Sequence, residues 1–351
     1  MERLLAFNVK TAQKLFAAAA RIDQFRGKWQ FIEQKDNRYL RELRSLATIQ
    51  SIGSSTRIEG STLTNAEVES LLKSVKITQF KTREEQEVVG YYEALELILD
   101  QFEFIELSVS NIKALHNTLM KHSEKDQKHK GEFKKFSNQV VAKYLDGTVR
   151  TIFNTTEPLL VDKVMDELVE WTNSQLANKD FHKLFCIGTF VYEFLSIHPF
   201  QDGNGRLSRL LTSLLLLREG YGFVQYVSFE NIIELTKKDY YRSLMAGQQN
   251  RNTEGEIIGE WMLFFLNSLE TLYQKLEEKY SRYLNIGGYL NQRQQQLLAF
   301  IREKKDIKLA DAVALFTDVS SRSVQRDLAL LESEGLIEQS GRGKTLIYSV
   351  L

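Results

Sequence analysis

The chain has 351 residues, and its 46 Lys and Arg residues balance 46 Asp and Glu residues, which gives a formal net charge of +0. A neutral chain offers no bulk electrostatic argument for binding nucleic acid or an anionic membrane, so any such binding must come from a local patch. The single cysteine, Cys186, excludes an intrachain disulfide bond, which suits a reducing compartment.

The sequence begins Met-Glu-Arg-Leu-Leu-Ala-Phe-Asn, without the apolar stretch of a secretory signal, so we expect a soluble, cytoplasmic protein. Only two prolines occur, Pro158 and Pro199, and so few helix breakers favour a mainly α architecture. A chain of this length can form two or three domains. Helical periodicity covers about residues 10–35, 38–58, 65–76, 83–101, 108–122, 161–175, 181–195, 205–219, 230–247 and 255–283.

The main β signal of the central region lies at residues 138–153. Val140 and Val141 lead into Asp146-Gly147, a pair typical of hairpin turns, and the stretch from Val149 to Phe153 follows. The pattern predicts a small β-hairpin. An exposed strand edge can pair with an extended peptide through main-chain hydrogen bonds. The alternative is a short surface hairpin without any function, because two-stranded units of this kind are common on protein surfaces.

A polar, glycine-rich loop precedes the most apolar helix, whose run at 210–217 is too short to span a bilayer. The loop reads His198-Pro199-Phe200-Gln201-Asp202-Gly203-Asn204-Gly205-Arg206-Leu207-Ser208-Arg209. Its two glycines allow backbone N–H groups to turn inward around an anion. A helix N-terminus favours phosphate, and two arginines three residues apart beside it indicate a polyphosphate ligand.

Asp202 and His198 add chemistry to this loop. Asp202 offers the hard oxygen ligands that a Mg²⁺ ion bridging phosphate oxygens requires. His198 has an unperturbed pKa close to neutrality, so it is the natural proton acceptor. Taken singly, a His before a Pro is usually a packed or capping residue, and a lone GxG is usually a turn. Their occurrence together in this order predicts a phosphate-handling site.

The segment matches all nine specified positions of the HPFx(D/E)GNGRxxR signature, and the chain thereby resembles Fic-domain proteins. The resemblance implies a helical Fic-type core and the transfer of AMP from ATP to a Tyr, Thr or Ser hydroxyl of target proteins or of the chain itself. His198 would deprotonate this hydroxyl, and Asp202 would hold Mg²⁺. The phosphates would contact the remaining signature residues, with the arginines at the β/γ end: Gly203, Asn204, Gly205, Arg206 and Arg209.

A second motif lies far upstream, at Ser55-Thr56-Arg57-Ile58-Glu59-Gly60. It resembles the (S/T)xxxE(G/N) inhibitory motif of many Fic proteins, with its Ser55, Glu59 and Gly60 at the specified positions. The resemblance implies that Glu59 pairs with Arg209 and blocks productive seating of the γ-phosphate. A Glu-Gly pair is also an ordinary helix end, and this reading is the alternative.

The resemblance assigns two further groups of residues. It makes the predicted hairpin a flap that covers the nucleotide and docks the target by strand addition, ending near Ile152, Phe153 and Asn154. It also suggests an aromatic contact with the nucleotide base, with Gln248 where some members carry an asparagine, and the aromatic residues concerned are Tyr240 and Tyr241. An aromatic pair on an amphipathic helix is more often part of the core, and this alternative stays open.

The C-terminal region is typical of a winged helix-turn-helix. A linker is expected near residues 286–288, and helices are expected at 292–304, at 309–316 and from Ser320 to Gly335. Two short strands, 336–339 and 345–350, would flank a wing at 341–344. The third helix would be the recognition helix, with its exposed side chains those of Arg322, Gln325 and Arg326.

The charge of this region leaves its partner open. Residues 290–351 hold nine Lys and Arg residues and eight Asp and Glu residues, a balance of about +1. DNA-binding domains usually carry a strong basic footprint, so protein docking competes with DNA binding as the role of this module.

We therefore expect an N-terminal helical region at 1–85, a Fic catalytic domain at 86–285 and a winged helix at 286–351. The expected function is that of an autoinhibited protein adenylyltransferase that uses ATP and Mg²⁺. The alternative is a DNA-binding regulator whose Fic domain senses nucleotide or removes AMP, and transfer of another phosphate-linked group also stays open. Homodimers occur among such proteins, so a homodimer is a further expectation.

Overall fold

The computed structural model describes residues 1–34, 38–74, 80, 82–125, 127–143, 149–178, 180–285, 290–316, 318–333, 336–341 and 346–350. The chain divides into two compact units. The first consists of residues 1–36 and 40–277, and the second consists of residues 37–39 and 278–351. None of the described helices combines the length and the apolarity needed to cross a bilayer.

Helices dominate the chain up to residue 285, and the mainly α fold class is confirmed. They are α1 (Val9–Glu33), α2 (Arg38–Ile58), α3 (Asn65–Ser74), α4 (Arg83–Gln101), α5 (Val109–Leu119), α6 (Val161–Asn178), α7 (Lys183–Ile197), α8 (Asn204–Arg218), α9 (Phe229–Leu235), α10 (Lys237–Gln248) and α11 (Gly259–Asn285). Side-chain caps fix several of these starts. Thr82 and Glu85 form a capping box at α4, and Ser108 caps α5.

The hydrophobic core of the first unit is centred on α7 and α8. Every residue of α7 from Leu184 to Ile197 is buried, and most of α8 is buried as well. A helix that is apolar on all sides is buried, because other elements cover every side of it. The α7–α8 pair is therefore a central support, and the loop that joins the two helices is held by the core of the unit.

One helix that the sequence predicts is divided in two in the structure. Residues 230–247 were expected to form a single helix, but α9 ends at Leu235 and α10 begins at Lys237. Thr236 between them has φ −113° and ψ 26°, outside the helical range. Its hydroxyl donates to the carbonyl of Ile232 at 2.7 Å. A local hydrogen bond of this kind competes with the regular helical ladder, and hydrophobic periodicity does not detect it.

The hairpin of the first unit consists of β1 (Gln139–Lys143) and β2 (Val149–Asn154), which pair in antiparallel register. Gln139 lies opposite Asn154, and Val140 lies opposite Phe153. The register then shifts between Val140 and Val141, which indicates a bulge. The expected turn at 146–147 lies outside the described residues.

The second unit contains α12 (Gln292–Lys304), α13 (Leu309–Ala314), α14 (Ser321–Ser333) and three strands. These strands are β3 (Asp306–Ile307), β4 (Ile337–Ser340) and β5 (Ile347–Val350), in the antiparallel order β3-β5-β4. Leucines and β-branched residues from all three helices form the core with Ile337 and Tyr348. The two-residue strand β3 was not anticipated, and both the expected linker at 286–288 and most of the expected wing, 342–344, lie outside the described residues.

Candidate active site

The candidate site is built on the loop between α7 and α8. Helix α7 ends at Ile197, as expected from Pro199, which disfavours a helical conformation for the residue before it. His198 has a left-handed backbone with φ 53° and ψ 60°, a conformation that is uncommon for a residue with a Cβ atom. The loop then turns through Gly203, with φ 79°, into the first turn of α8.

Asn204 closes this loop. Its Oδ1 accepts from the backbone N–H of Phe200 at 2.8 Å, and its Nδ2 donates to the carbonyl oxygen of Phe200 at 2.7 Å. The side chain is 1% exposed. A buried amide with paired hydrogen bonds is costly to remove. Asn204 therefore holds the shape of the loop, and its expected contact with the phosphates stays a prediction.

His198 is oriented by a hydrogen bond within the end of α7. Its Nδ1 lies 3.2 Å from the carbonyl oxygen of Leu195. Because a carbonyl oxygen can only accept, this contact assigns the proton of the neutral ring to Nδ1 and leaves a lone pair on Nε2. Burial lowers the pKa of His198 to about 4. At neutral pH the ring is therefore uncharged and able to accept a proton.

Arg209, in the second turn of α8, contacts the end of α2. Its Nε donates to Oγ of Ser55 at 2.8 Å, and its Nη2 donates to the carbonyl of Ser55 at 3.0 Å. The same Nη2 lies 2.8 Å from Oε1 of Glu59, where the Arg209 side chain is 3% exposed and that of Glu59 is 34% exposed. Burial alone would raise the pKa of Glu59, but Arg209 outweighs it, and the pKa lies below its usual range.

Gly205 lies against this ion pair. A Cβ atom at this position would come within 2.3 Å of Oε1 of Glu59 and within 3.4 Å of Nη1 of Arg209. Glycine therefore allows the Glu59 carboxylate to approach the backbone at the start of α8. The carboxylate thus occupies the concave space beside the helix N-terminus.

Asp202 and Arg206 belong to a second group of charges. Asp202 pairs with Arg83 at 3.0 Å and more loosely with Arg206 at 3.5 Å. Arg206 is 2% exposed and lies 3.3 Å from Glu87. Burial tends to raise the pKa of Asp202, but Arg206, the backbone N–H of Gly203 and Arg83 outweigh burial and lower the pKa. Asp202 is therefore ionised at neutral pH.

His116 of α5 supports the loop from the side of Phe200. Its Nδ1 accepts from the backbone N–H of Gly131 at 2.9 Å, so its Nε2 carries the proton and donates to the carbonyl of Asp202 at 3.0 Å. The ring stacks on Phe200 with centroids 3.8 Å apart. These contacts give His116 a structural role at the loop.

A cavity of about 200 Å³ opens at this loop. It is lined by Glu59, Asn138, Gln139, Val140, Leu195, His198, Gln201, Asp202, Gly203, Asn204, Gly205, Arg209, Tyr240, Tyr241 and Leu244. The volume lies below the roughly 300 Å³ at which ligand pockets usually begin. The side chain of Glu59 contributes to this small size, because it projects from the end of α2 towards Gly205.

The cavity unites most of the residues singled out from the sequence. Residues directly after α2, on the loop between α7 and α8, on α8 and on α10 meet there although they are far apart in the chain. Of the expected nucleotide contacts, Arg206 and Gln248 lie outside the lining, and Gln248 instead donates to Oγ of Ser196 at 2.7 Å. Ser55 lies behind Arg209, while Gly60 follows α2 with φ 112°. The expected flap residues Ile152, Phe153 and Asn154 lie on β2.

Several lining residues were not anticipated. Asn138, Gln139 and Val140 line the cavity, so the strand beside it is β1. Leu195 and Leu244 contribute apolar wall from α7 and α10. The alternation of side chains along a strand could have signalled that one face of β1 is directed inward, but it does not say towards which element.

Mg²⁺ fits the donor set only together with a phosphate ligand. Within the described part of the chain no group of three or more His, Cys, Asp or Glu side chains could hold a metal ion. Asp202 is the carboxylate of the α7–α8 loop, directly before Gly203, with its side chain 37% exposed. Mg²⁺ is commonly held by one or two carboxylates together with substrate phosphates and water. Asp202 suits such a role.

Comparisons with known proteins agree with the sequence motifs. Residues 106–216 match the Fic/DOC family, and residues 293–346 match the DeoR-like helix-turn-helix domain. Proteins named Protein adenylyltransferase Fic from Drosophila willistoni and Drosophila melanogaster are 33% and 32% identical to the chain over 187 and 189 residues. The matched segment is 53% of this chain in both cases and 35% and 36% of the relatives, so the chain spans about a third of their length.

Solved structures share the fold. A Fic family protein from Desulfovibrio desulfuricans G20 superposes with a TM-score of 0.64 at 22% identity, over 96% of each chain. Fic-1 from C. elegans superposes with a TM-score of 0.61 at 20% identity, over 77% of this chain and 74% of the other. At these identities the similarity concerns the fold alone. Together with the family match, it identifies the α7–loop–α8 unit as part of a Fic domain.

Proposed function

Because the chain contains a Fic domain followed by a DeoR-like helix-turn-helix domain, we propose that it is an autoinhibited protein adenylyltransferase. It transfers AMP from ATP to a Tyr, Thr or Ser hydroxyl of a target protein or of itself. The observation that carries this proposal is the cavity in which His198, the start of α8 and Arg209 meet. The names of the Drosophila relatives agree with it.

His198 acts as the general base of the transfer. Its Nε2 accepts the proton of the target hydroxyl while the hydroxyl oxygen forms a bond to the α-phosphorus and the bond to the pyrophosphate oxygen breaks. The hydrogen bond from Nδ1 to Leu195 supports this role, because it leaves the lone pair on Nε2. The low pKa keeps the ring neutral, so that the base is available at neutral pH.

The start of α8 and Arg209 neutralise the phosphates. Backbone N–H groups of the first turn are not engaged by the helix itself, and they suit an anion. Arg209 holds the β/γ end and stabilises the leaving pyrophosphate. Mg²⁺ on Asp202 would add charge neutralisation. Arg83 and Arg206 keep Asp202 ionised and fix its place at the loop.

Glu59 inhibits by occupying Arg209. The carboxylate is bound to Nη2 of Arg209 and lies at the Gly205 backbone, where a phosphate group would bind. Two anions cannot share one guanidinium and one helix N-terminus without repulsion. Productive ATP binding therefore requires the Glu59 side chain to leave, and the resting protein has low activity.

The experiment is incubation of the wild type, Glu59→Gly and the double variant Glu59→Gly/His198→Ala with α-labelled ATP and Mg²⁺, followed by mass spectrometry of the modified residue. Labelling should be weak in the wild type and strong in Glu59→Gly. Glu59→Gly combined with His198→Ala should bind ATP and transfer no label. Glu103→Gly, in an exposed turn, is the matched control and should behave as the wild type. Label that persists without His198 would remove this residue from the role of base.

A second candidate function concerns the C-terminal unit. Arg322, Gln325 and Arg326 are all exposed on α14, the helix that a helix-turn-helix domain presents to DNA. Here the alternative to the enzyme is a DNA-binding regulator in which the Fic domain senses nucleotide. A gel-shift assay of the full chain at low salt tests it, with Arg322→Ala and Arg326→Ala as variants. Binding that is lost in these variants favours DNA, whereas no shift at low salt favours protein docking.

A further inference from the structure

Lys134 is a buried lysine that the mechanism above does not use. It precedes the hairpin, and it is 4% exposed. Its Nζ donates to Oδ1 of Asn138 at 2.9 Å, to Oγ1 of Thr155 at 2.7 Å and to the carbonyl oxygen of Ile197 at 3.1 Å. These three neutral acceptors match the three N–H groups of an ammonium. Lysine is rarely buried in this way, so the arrangement calls for an explanation.

The three acceptors belong to two parts of the site. Asn138 directly precedes β1, and Thr155 directly follows β2, so both ends of the hairpin meet at the ammonium. Ile197 is the last residue of α7, and its carbonyl is one of those that a helix leaves without a partner. A cation at this end is also favoured by the helix dipole. Lys134 thus joins the hairpin to the end of α7, directly before His198.

Two backbone-directed contacts extend the same connection. The backbone N–H of Lys134 donates to the carbonyl of Pro199 at 2.8 Å, and Nδ2 of Asn138 donates to the carbonyl of Phe200 at 2.9 Å. The carbonyl groups on both sides of His198 are therefore held from residues 134 and 138. His198 itself has a left-handed backbone with φ 53°. Such a conformation persists only where the surroundings fix it.

Burial lowers the pKa of Lys134 to about 8. The ammonium form still predominates at neutral pH, so the side chain keeps all three donors. The Nζ contacts are made at the base of the hairpin, whose strand β1 lines the cavity with Gln139 and Val140. The same ammonium thus bonds both to the base of this hairpin and to the end of α7 directly before His198.

We propose that Lys134 is a positioning residue that sets the distance between the hairpin and His198, and thereby the alignment of a protein target for transfer. The proposal rests on the proposed transferase function. A target segment that pairs with the hairpin presents its hydroxyl to Nε2 of His198 only if the hairpin and the loop are in fixed register. None of the three atoms that accept from Nζ belongs to the phosphate contacts proposed at α8 and Arg209, so Lys134 acts on the protein substrate.

The test uses the full chain in the Glu59→Gly background, with the His198→Ala chain as acceptor and α-labelled ATP with Mg²⁺ as donor. Lys134→Met keeps the length of the side chain and removes the donors. It should lower kcat/KM for the acceptor by about 10- to 100-fold, as expected for a misplaced reacting group, and leave KM for ATP unchanged. Lys134→Arg restores donors and charge and should recover most of the loss. The exposed neighbour Lys135 gives the matched control, Lys135→Met, which should have no effect.

A second, milder variant covers the case in which Lys134→Met fails to fold. Thr155→Val is nearly isosteric and removes only one of the three acceptors, so it should lower kcat/KM for the acceptor by a smaller factor. Unchanged acceptor kinetics in both variants would overturn the proposal. A parallel rise in KM for ATP would also overturn it, because this result would indicate a general disturbance of the site.

Hydrogen exchange separates this inference from the proposed function. In Lys134→Met the amides of residues 139–143, 149–154, 196–198 and 200 should exchange faster together, whereas Lys135→Met should match the parent. If the Glu59→Gly parent transfers no label, the proposed function fails, and the exchange result still decides whether Lys134 joins hairpin and loop. Unchanged exchange in Lys134→Met would refute the connection even in an active enzyme.

Discussion

The Glu59–Arg209 ion pair predicts a graded response to substitution of Glu59. The contact at 2.8 Å joins a carboxylate to an arginine whose side chain is 3% exposed. A charge-assisted hydrogen bond of this kind contributes about 1.5–3 kcal/mol net. ATP must displace it, so the productive fraction is lowered by about 10- to 150-fold at subsaturating ATP. Glu59→Gly should raise the initial rate of AMP transfer by about this factor.

Glu59→Gln distinguishes the inhibitory effect of the Glu59 charge from that of the size of its side chain. The amide fills the same space and can still accept one hydrogen bond from the Arg209 guanidinium, but the attraction between opposite charges is lost, so the contact should keep about 1 kcal/mol. The initial rate should therefore lie between those of the wild type and Glu59→Gly, within about a factor of five of the latter. The assay is label transfer from α-labelled ATP at several ATP concentrations, with Glu103→Gly as control. A wild-type rate in Glu59→Gln with a high rate in Glu59→Gly would assign inhibition to bulk alone, and wild-type rates in both would refute the ion-pair mechanism.

Three further predictions concern the loop between α7 and α8 and the first turn of α8. The pKa of His198 is depressed to about 4, so an NMR titration should show its imidazole titrating near pH 4, with the signal assigned by its loss in His198→Ala. The stability contributed by this group should be complete above about pH 6.5 and be lost as the pH falls from there towards 4; a midpoint near 6.5 would contradict the burial argument. Gly203→Ala should lower the free energy of unfolding by about 1–2 kcal/mol in urea titrations, because the residue has φ 79°. Gly205→Ala should be less destabilising in Glu59→Gly than in the wild type, with a coupling of about 0.5–3 kcal/mol, because a Cβ atom would meet Oε1 of Glu59 at 2.3 Å; additive effects would show that the two sites do not interact.

The sequence predicts those parts of the site that lie within one continuous segment of the chain. The loop from His198 to Gly203 and the helix after it combine a proline, two glycines and an apolar period, and local rules are sufficient for such a pattern. The family match over residues 106–216 agrees with this segment. The meeting of Glu59 with Arg209 is different, because 150 positions separate them and no local rule brings them together. It was expected only from the resemblance.

Buried polar residues were the hardest features to anticipate. Lys134 donates to the side chains of Asn138 and Thr155 and to one backbone carbonyl of α7, whereas His116 bonds to a backbone N–H and a backbone carbonyl outside its own helix. A lysine in a polar stretch is usually exposed, and nothing in its neighbours in the chain indicates burial. The break at Thr236 escaped detection for a related reason, since the hydrophobic period continues through it while a side-chain hydrogen bond changes the backbone. Each of these features depends on hydrogen bonds rather than on apolar periodicity.

The anchoring of α2 bears on how Glu59 can inhibit and still be displaced. Arg57 pairs with Glu234 through two hydrogen bonds at 2.7 and 3.0 Å, and Nζ of Lys237 donates to the carbonyl of the residue before Glu59 at 2.7 Å. The end of the helix is thus held independently of Arg209, so the carboxylate reaches the guanidinium with little further loss of freedom. The Glu59 side chain is itself 34% exposed. On the proposed mechanism, ATP has to rotate only this side chain towards solvent, while the helix stays in place. Inhibition of this kind is limited to the strength of one ion pair, and it is therefore reversible at a sufficient concentration of ATP.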